Sequence, residues 1–261
     1  MALVRTDREG SCLTLTLDDP ASRNALSPEM VAALGAAVTE AAADPSLQLI
    51  VLRGANQSFC VGANLKGIGG SAPIGFDEAC GFSREGAAIF GVIANLPVAV
   101  VAVIDGPAFA GGLGLACCAD IVLCGPDAKF ALSETAVGLV PAQIAPYVAG
   151  RIGLPATRRL CLSAAIFGPA EALAIGLADE AHESAEALEA AVARTTKAIR
   201  RCAPGANAVT KRLLLTLGNA RGADYVDEAA RIFAMAVTGD EGREGIAAFI
   251  EKRKPRWAGE R

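Results

Sequence analysis

The chain has 261 residues, of which 52% are hydrophobic and 20% are charged, and its formal net charge is −4. A chain of this length and apolar content can bury a large core, so disorder is excluded and one sizeable domain with a small appended segment is expected. The negative charge, and the lack of a basic stripe with interleaved aromatic residues, argue against nucleic acid as a partner.

The sequence also argues against a membrane span, an export signal and a metal centre. Its longest apolar run, residues 96–104, is too short to cross a bilayer, and the N-terminus has no apolar signal core. The eight cysteines lie scattered in apolar settings without a CxxC pair, so we interpret them as reduced core residues. The single histidine, His182, is interpreted as a surface loop residue rather than a zinc ligand. A cytoplasmic protein with neither a membrane partner nor a metal is therefore expected.

The first half of the chain alternates between strand and helix patterns. Alternating apolar and polar residues predict a strand over residues 12–19, and a continuous apolar run predicts a buried strand over residues 47–55. Between them, Ser27 as N-cap and Pro28 at the first helical position predict a helix that extends to Asp44. These elements form a β-α-β unit.

The same alternation continues and then gives way to helices. A Gly/Ser-rich loop is expected around residues 67–75, then a helix over 77–95 and a β-branched strand that ends at the turn Asp105-Gly106. After a strand over residues 121–125, the chain is predicted to be mainly helical from Leu154 onward. The helical patterns in this part cover residues 170–178, 186–201, 223–237 and 241–252.

Two glycine-marked turns are candidates for a binding site. In "AFAGGLGLACCADI", the pair Gly111-Gly112 leads from a strand into a helix, whose first N–H groups have no partner within the helix and attract negative charge. "SFCVGANLKGI" contains a second turn of this kind after the preceding strand. Together the turns could hold one carbonyl oxygen, as an oxyanion hole does. The structural alternative is that the glycines serve only tight packing of helix against strand.

Other glycine-dependent or nucleophilic sites do not match the sequence. Neither GxGxxG nor GxxxxGK[ST] is present, which argues against the common dinucleotide and phosphate loops. There is also no GxSxG, and a lone histidine gives poor support for a hydrolase triad.

The segments "SFCVGANL", "IDGPAFAGGLGLACCADI", "FALSETAVGLVP" and "AAFIEKRKPRW" resemble the crotonase superfamily of enoyl-CoA hydratases and isomerases. The resemblance implies an α/β, ClpP-like spiral of β-β-α units over residues 1–200, followed by a C-terminal helical region over residues 201–261 that forms a homotrimer or homohexamer. It further implies that the N–H groups of Val61 and Gly111 hold the oxygen of an acyl-CoA thioester.

The resemblance also locates the acids. Hydratases of the family typically carry two glutamates, and the corresponding positions here are Gly114 and Glu134. One acid is therefore absent, and Gly114 would leave room in its place. Glu134 has a structural alternative as a helix-start carboxylate. Another acid, such as Glu85 from the helix over residues 77–95, could enter the site, although a solvated surface carboxylate is the usual alternative there.

Contacts to coenzyme A are implied at four positions. Main-chain groups near Ala25 lie along coenzyme A in the family, and Phe249 and Lys252 correspond to residues that reach it, often across a subunit boundary. Lys66 could meet a phosphate or a substrate carboxylate, or be an ordinary surface cation. No cofactor is expected beyond the coenzyme A of the substrate.

Three functions remain open from the sequence. The first is hydration of a short or branched 2-enoyl-CoA by Glu134 alone, because the "SETAVGLVP" region resembles bacterial hydratases of branched or carboxylated substrates such as methylglutaconyl-CoA. The second is isomerisation of an enoyl-CoA double bond by the same glutamate. The third is acyl-CoA binding without catalysis, which the absent acid at Gly114 suggests.

Overall fold

The computed structural model describes residues 2–64, 75–216 and 223–258. The strands within these ranges are β1 Val4–Glu9, β2 Cys12–Leu17, β3 Leu49–Gly54, β4 Ala99–Ile104, β5 Pro107–Phe109, β6 Ile121–Cys124, β7 Lys129–Ala131 and β8 Glu180–Ala181. The α-helices are α1 Pro28–Ala43, α2 Phe76–Ala94, α3 Gly111–Cys118, α4 Ala145–Ser163, α5 Pro169–Ala174, α6 Ala185–Arg200, α7 Pro204–Thr216, α8 Ala223–Thr238 and α9 Asp240–Ile250.

The strands form two sheets through which the chain passes repeatedly. The larger sheet has the order β1-β2-β3-β4-β6-β8, and its strands are parallel except for β1 against β2. The smaller sheet pairs β5 with β7 in parallel, and single bridges join Cys60 to Ala108 and Phe130 to Phe167 at its two edges. Each pass therefore visits the large sheet, then the small sheet, and then a helix, which gives a β-β-α spiral.

The core lies on both faces of the large sheet because side chains alternate along each strand. On one face, Ile50 of β3 packs in a buried cluster with Leu34 of α1 and Ile93 of α2. On the other face, Val51 belongs to a second cluster with Leu188 of α6. The parallel strands are thus covered on both sides, which explains their continuous apolar runs.

Most elements lie where the sequence predicts them. Ser27 caps α1, since its Oγ accepts a hydrogen bond from the Met30 amide at 3.2 Å. The strands predicted over residues 12–19, 47–55 and 121–125 correspond to β2, β3 and β6, each ending one or two residues earlier. Among the described helices, none has the length and apolar character needed to cross a membrane.

The start of the helical half was predicted wrongly. The structure begins α4 at Ala145, nine residues before Leu154, and the helix contains a break at Gly153, where φ is +73°. Gly153 and Pro155 give this helix the composition of a turn, so the sequence pattern hid its first half.

Other local predictions also need correction. β1 and α7 were not predicted; β1 is an edge strand with five of its six residues exposed, so it carries no apolar pattern. His182 lies in a loop directly after β8, as predicted, but it is partly buried, since its side chain is only 15% exposed. Most of the predicted Gly/Ser loop, residues 67–74, lies outside the described residues.

Candidate active site

The two glycine turns lie side by side. The amides of Phe59 and Cys60 both donate to the Pro107 carbonyl at 3.0 Å, and the Phe109 amide donates to the Cys60 carbonyl at 2.9 Å. A Cβ built on Gly62 would lie 3.1 Å from the amide nitrogen of Gly111. The turn that contains Val61 and the start of α3 are therefore in direct contact.

Both turns present amide groups that secondary structure does not use. Within the described residues, neither the Val61 amide nor the Gly111 amide donates a hydrogen bond to backbone or side chain. Gly111 is the first residue of α3, so its N–H has no partner in the helix and lies at the positive end of the helix dipole. Two such donors are chemically suited to a carbonyl oxygen that gains negative charge.

The entry into α3 holds a strained residue. Ala110, the N-cap of α3, has φ +47° and ψ −119°, a conformation that costs energy for any residue with a side chain. Its amide donates to the Ala131 carbonyl at 2.9 Å, and its carbonyl accepts from the Gly114 amide at 3.0 Å. The neighbouring strand and helix thus impose the turn that frees the Gly111 N–H.

Gly112 serves the structural purpose that the sequence left as an alternative. A Cβ at this position would lie 2.0 Å from the Cys60 carbonyl oxygen, a distance no side chain can occupy. Gly62 is similarly restricted, because its φ is +88° and a Cβ would lie 2.8 Å from the Ala110 Cβ. Tight packing explains these two glycines, whereas Gly111 contributes the free amide.

A buried asparagine fixes the loop at Ala25 against the first turn. The Asn24 side chain is fully buried, and its Nδ2 donates to the Ser58 carbonyl at 2.7 Å and to the Phe59 carbonyl at 3.2 Å. On the other side of Ala25, the Leu26 amide donates to the Gly62 carbonyl at 2.7 Å. Ala25 therefore lies next to the candidate site. Sequence reasoning assigned no role to the Asn24 side chain, although asparagine is a favoured turn residue. In the structure, Asn24 has a φ of +60°.

Glu134 follows the C-terminal end of strand β7 of the small sheet. Ala131, the last residue of β7, is the register partner of Phe109 and accepts the hydrogen bond from Ala110. Three residues later, Glu134 opens a 3₁₀ turn, Glu134–Val137. Glu134 therefore lies three residues after the carbonyl group that holds the turn at the start of α3.

The Glu134 carboxyl group is half-buried at the start of the 3₁₀ turn. Its Oε2 is buried and has no hydrogen-bond partner in the described part of the chain. Burial raises the pKa of Glu134 from its usual value of 4.5, and its own backbone amide offsets this only in part. A half-buried carboxylate with one oxygen free of hydrogen bonds is chemically suited to accept a proton and give it back.

The space beside Gly114 is filled. A Cβ on Gly114 would lie 2.3 Å from the Ile144 Cγ2 and 3.3 Å from the Phe90 Cε1, and both of these side chains are 4% exposed. The expectation that Gly114 leaves room is therefore wrong, because α4 delivers Ile144 into that space. The alternative acid Glu85 is exposed on α2.

The predicted coenzyme A residues lie in different places. Phe249 on α9 is 85% exposed. Lys252 lines a cavity of about 1120 Å³ between β2, β3, α6 and the C-terminal segment, and Glu134, Val61 and Gly111 do not line it. Within one chain, the structure does not bring Phe249 and Lys252 to Glu134. Lys66 lies outside the described residues.

The chain belongs to the enoyl-CoA hydratase/isomerase family, whose sequence pattern matches residues 7–260. It is 31% identical to human mitochondrial methylglutaconyl-CoA hydratase over 243 residues, which cover 91% of this chain and 71% of that protein. It is also 31% identical to carnitinyl-CoA dehydratase of Escherichia coli K12 over a gapped alignment of 262 positions, which covers 97% of each chain.

Solved structures support the same assignment. AtuE of Pseudomonas aeruginosa superimposes with a TM-score of 0.95 at 42% identity, covering 98% of this chain and 100% of that one. An enoyl-CoA hydratase/isomerase from Marinobacter aquaeolei gives a TM-score of 0.93 at 38% identity, covering 98% and 99%. The crotonase fold and enzymatic acyl-CoA chemistry, both predicted from the sequence, are confirmed.

Proposed function

We propose that this enzyme hydrates a short or branched 2-enoyl-CoA, with the amides of Val61 and Gly111 holding the thioester oxygen and Glu134 acting as the only acid and base. The observation that carries the proposal is the buried, unpartnered Oε2 of Glu134 at the sheet edge where α3 begins. Membership of the hydratase/isomerase family supports it.

In the proposed reaction, Glu134 first accepts a proton as a base and then donates it as an acid. The Glu134 carboxylate takes a proton from water while the water oxygen bonds to C3, and the C2=C3 electron pair moves towards the thioester oxygen. The resulting enolate is stabilised by the two amides, each contributing roughly 3 to 4 kcal/mol by analogy with other oxyanion holes. Protonated Glu134 then gives its proton to C2, so one water molecule has been added and the carboxylate is restored.

One relative supports a branched or carboxylated acyl group, because it is named for methylglutaconyl-CoA. No cofactor takes part in the proposed chemistry, since coenzyme A enters as part of the substrate.

We further propose that the chain functions as a homotrimer or homohexamer in the cytoplasm, without nucleic-acid or membrane partners. The C-terminal helices expose large apolar side chains, including Phe233 at 70%, Phe249 at 85% and Ile250 at 71%. Burial of such side chains against neighbouring subunits would favour assembly. In the assembly, Phe249 and Lys252 would contact the coenzyme A of an adjacent subunit.

Isomerisation is the second candidate, because the position of the second acid is Gly114 and Ile144 fills the space beside it. A single carboxylate can take a proton from C2 of a 3-enoyl-CoA and return it to C4 without water. Acyl-CoA binding without catalysis is the third candidate, but it gives no role to the unpartnered Glu134 carboxylate.

The test is incubation with crotonyl-CoA, a 3-enoyl-CoA and 3-methylglutaconyl-CoA in water enriched in heavy oxygen, with product masses measured. Glu134→Gln is the test variant, and Glu85→Gln is the matched control because it makes the same change on an exposed face of α2. Hydration predicts heavy oxygen in a 3-hydroxyacyl product for the wild type and Glu85→Gln but not for Glu134→Gln. A shifted double bond without oxygen uptake would establish isomerisation, whereas binding without any turnover would contradict both reactions.

A further inference from the structure

Two apolar side chains pack against Gly114, and we call them together the Gly114 wall: Phe90 of α2 and Ile144 at the N-cap of α4. The Phe90 ring reaches both ends of the first turn of α3, because its Cζ would lie 3.7 Å from a Cβ on Gly111 and its Cε1 3.3 Å from a Cβ on Gly114. The wall therefore begins next to the oxyanion amide and continues to the position of the absent acid.

Contacts between α2 and α4 hold the wall in place. The rings of Phe90 and Tyr147 lie 6.1 Å apart between their centroids. The Gln143 Nε2 donates to the Ser83 Oγ at 2.9 Å and so joins the segment before α4 to α2. Since Phe90 and Ile144 are each 4% exposed, neither side chain has much freedom to withdraw.

We infer that the Gly114 wall determines specificity: Ile144 and Phe90 occupy the place of a second acid and favour acyl groups that carry an alkyl substituent at C3. This inference rests on the proposed function, because it assumes that the thioester oxygen lies at Gly111. Three residues of helix advance about 4.5 Å from Gly111 to Gly114, which matches the reach from a thioester carbonyl to the substituents of C3. An alkyl group there buries apolar surface, whereas a polar group loses water without gaining a partner.

Binding of saturated thioesters tests the wall without requiring turnover. The dissociation constants of 3-methylbutanoyl-CoA and butanoyl-CoA are measured by calorimetry, and their ratio isolates the C3 methyl group. The wild type is expected to bind the branched thioester more tightly. Ile144→Ala should lower this preference by about tenfold, as the loss of one methyl contact in an apolar pocket does.

Two further variants control for effects on folding. Ile144→Val removes less of the wall and should lower the preference by less, which keeps the test available if Ile144→Ala does not fold. Val148→Ala removes a fully buried side chain one turn further along α4, and its preference should equal that of the wild type. A ratio that is unchanged in the Ile144 variants, or that changes equally in Val148→Ala, would overturn the inference.

Failure of this inference can be told apart from failure of the proposed function. Hydration of 3-methylcrotonyl-CoA by the wild type and its loss in Glu134→Gln test the function alone. If that hydration is lost as expected while the binding ratio does not respond to Ile144, the function stands and the wall does not determine specificity. If neither saturated thioester binds, the inference about the wall is wrong, and the hydration assay still decides the proposed function.

Discussion

The two halves of the candidate site differ in how the fold supports them. The turns that carry Val61 and Gly111 are interlocked by backbone hydrogen bonds and by glycines at which a Cβ would collide with main-chain atoms. The Glu134 half lies on a 3₁₀ turn that ends at the exposed Val137 (59%), and Val140 beyond it is also exposed (72%). Changes in the first half should therefore affect folding and chemistry together, and changes in the second half should affect chemistry alone.

The largest expected effect follows from removing the acid. Glu134→Gln should lower kcat by about 10²- to 10⁴-fold, the usual contribution of a general acid or base, because the proposed reaction uses no other acid or base. Its melting temperature should stay close to that of the wild type, since Oε2 makes no hydrogen bond in the described structure. Steady-state kinetics and thermal unfolding check both statements, with Glu85→Gln as the control that should retain activity. If Glu134→Gln unfolded, changes in the Glu134 half would affect folding as well as chemistry, and the two halves would not differ.

The opposite behaviour is expected at Gly112. Gly112→Ala places a Cβ 2.0 Å from the Cys60 carbonyl oxygen, so α3 must separate from the first turn. The free energy of unfolding should fall by about 3 kcal/mol, at the upper end of the usual range for overpacking, and catalytic activity should fall with it. Gly150→Ala is the control, because a Cβ there meets nothing within 4 Å and α4 should gain about 0.5 kcal/mol. Urea denaturation measures the free energies of unfolding of both variants, and equal values for the two would contradict the prediction.

A paired change at Gly114 sharpens the comparison. Gly114→Glu alone should destabilise the protein, since its Cβ would lie 2.3 Å from the Ile144 Cγ2 and 2.8 Å from the Ile144 Cβ. Ile144→Gly removes both atoms at a helix N-cap, where glycine is tolerated. The cost of Gly114→Glu should be smaller in that background by about 1 to 3 kcal/mol, as for residues in direct contact. A double-mutant cycle from urea denaturation measures this coupling; additive costs would show that Ile144 does not close the position.

The sequence predicted the parts of this site that depend on local patterns. The turns at Val61 and Gly111 follow from glycines after apolar strands, and Glu134 followed from a family motif. The neighbour of Gly114 could not be predicted in this way, because Ile144 lies thirty residues further along and belongs to a helix whose start Gly153 and Pro155 obscured. Asn24 was missed for a related reason, since its role depends on carbonyl groups more than thirty residues away.

The smallest expected effect is on the pH dependence of stability, and it again distinguishes Glu134 from the two glycine turns. Because burial raises the pKa of Glu134 above 4.5, the unfolded chain loses this proton at a lower pH than the folded protein does. The contribution of Glu134 to the free energy of unfolding is thus complete below pH 4.5 and declines as the pH rises through the folded pKa. Glu134→Gln has no such proton, so the wild type should lose stability relative to this variant across that window.

Urea denaturation of both proteins at several pH values from 4.5 to 7 measures the difference between their free energies of unfolding. This difference should be smaller than the effect of Gly112→Ala, because Glu134 is only half-buried. The same raised pKa should move the acid limb of kcat/KM for hydration to a midpoint above 4.5, since the carboxylate form must accept the proton from water. Gly150→Ala should share that midpoint with the wild type. An acid limb at or below 4.5 would mean that the group which activates water is solvated and is not Glu134.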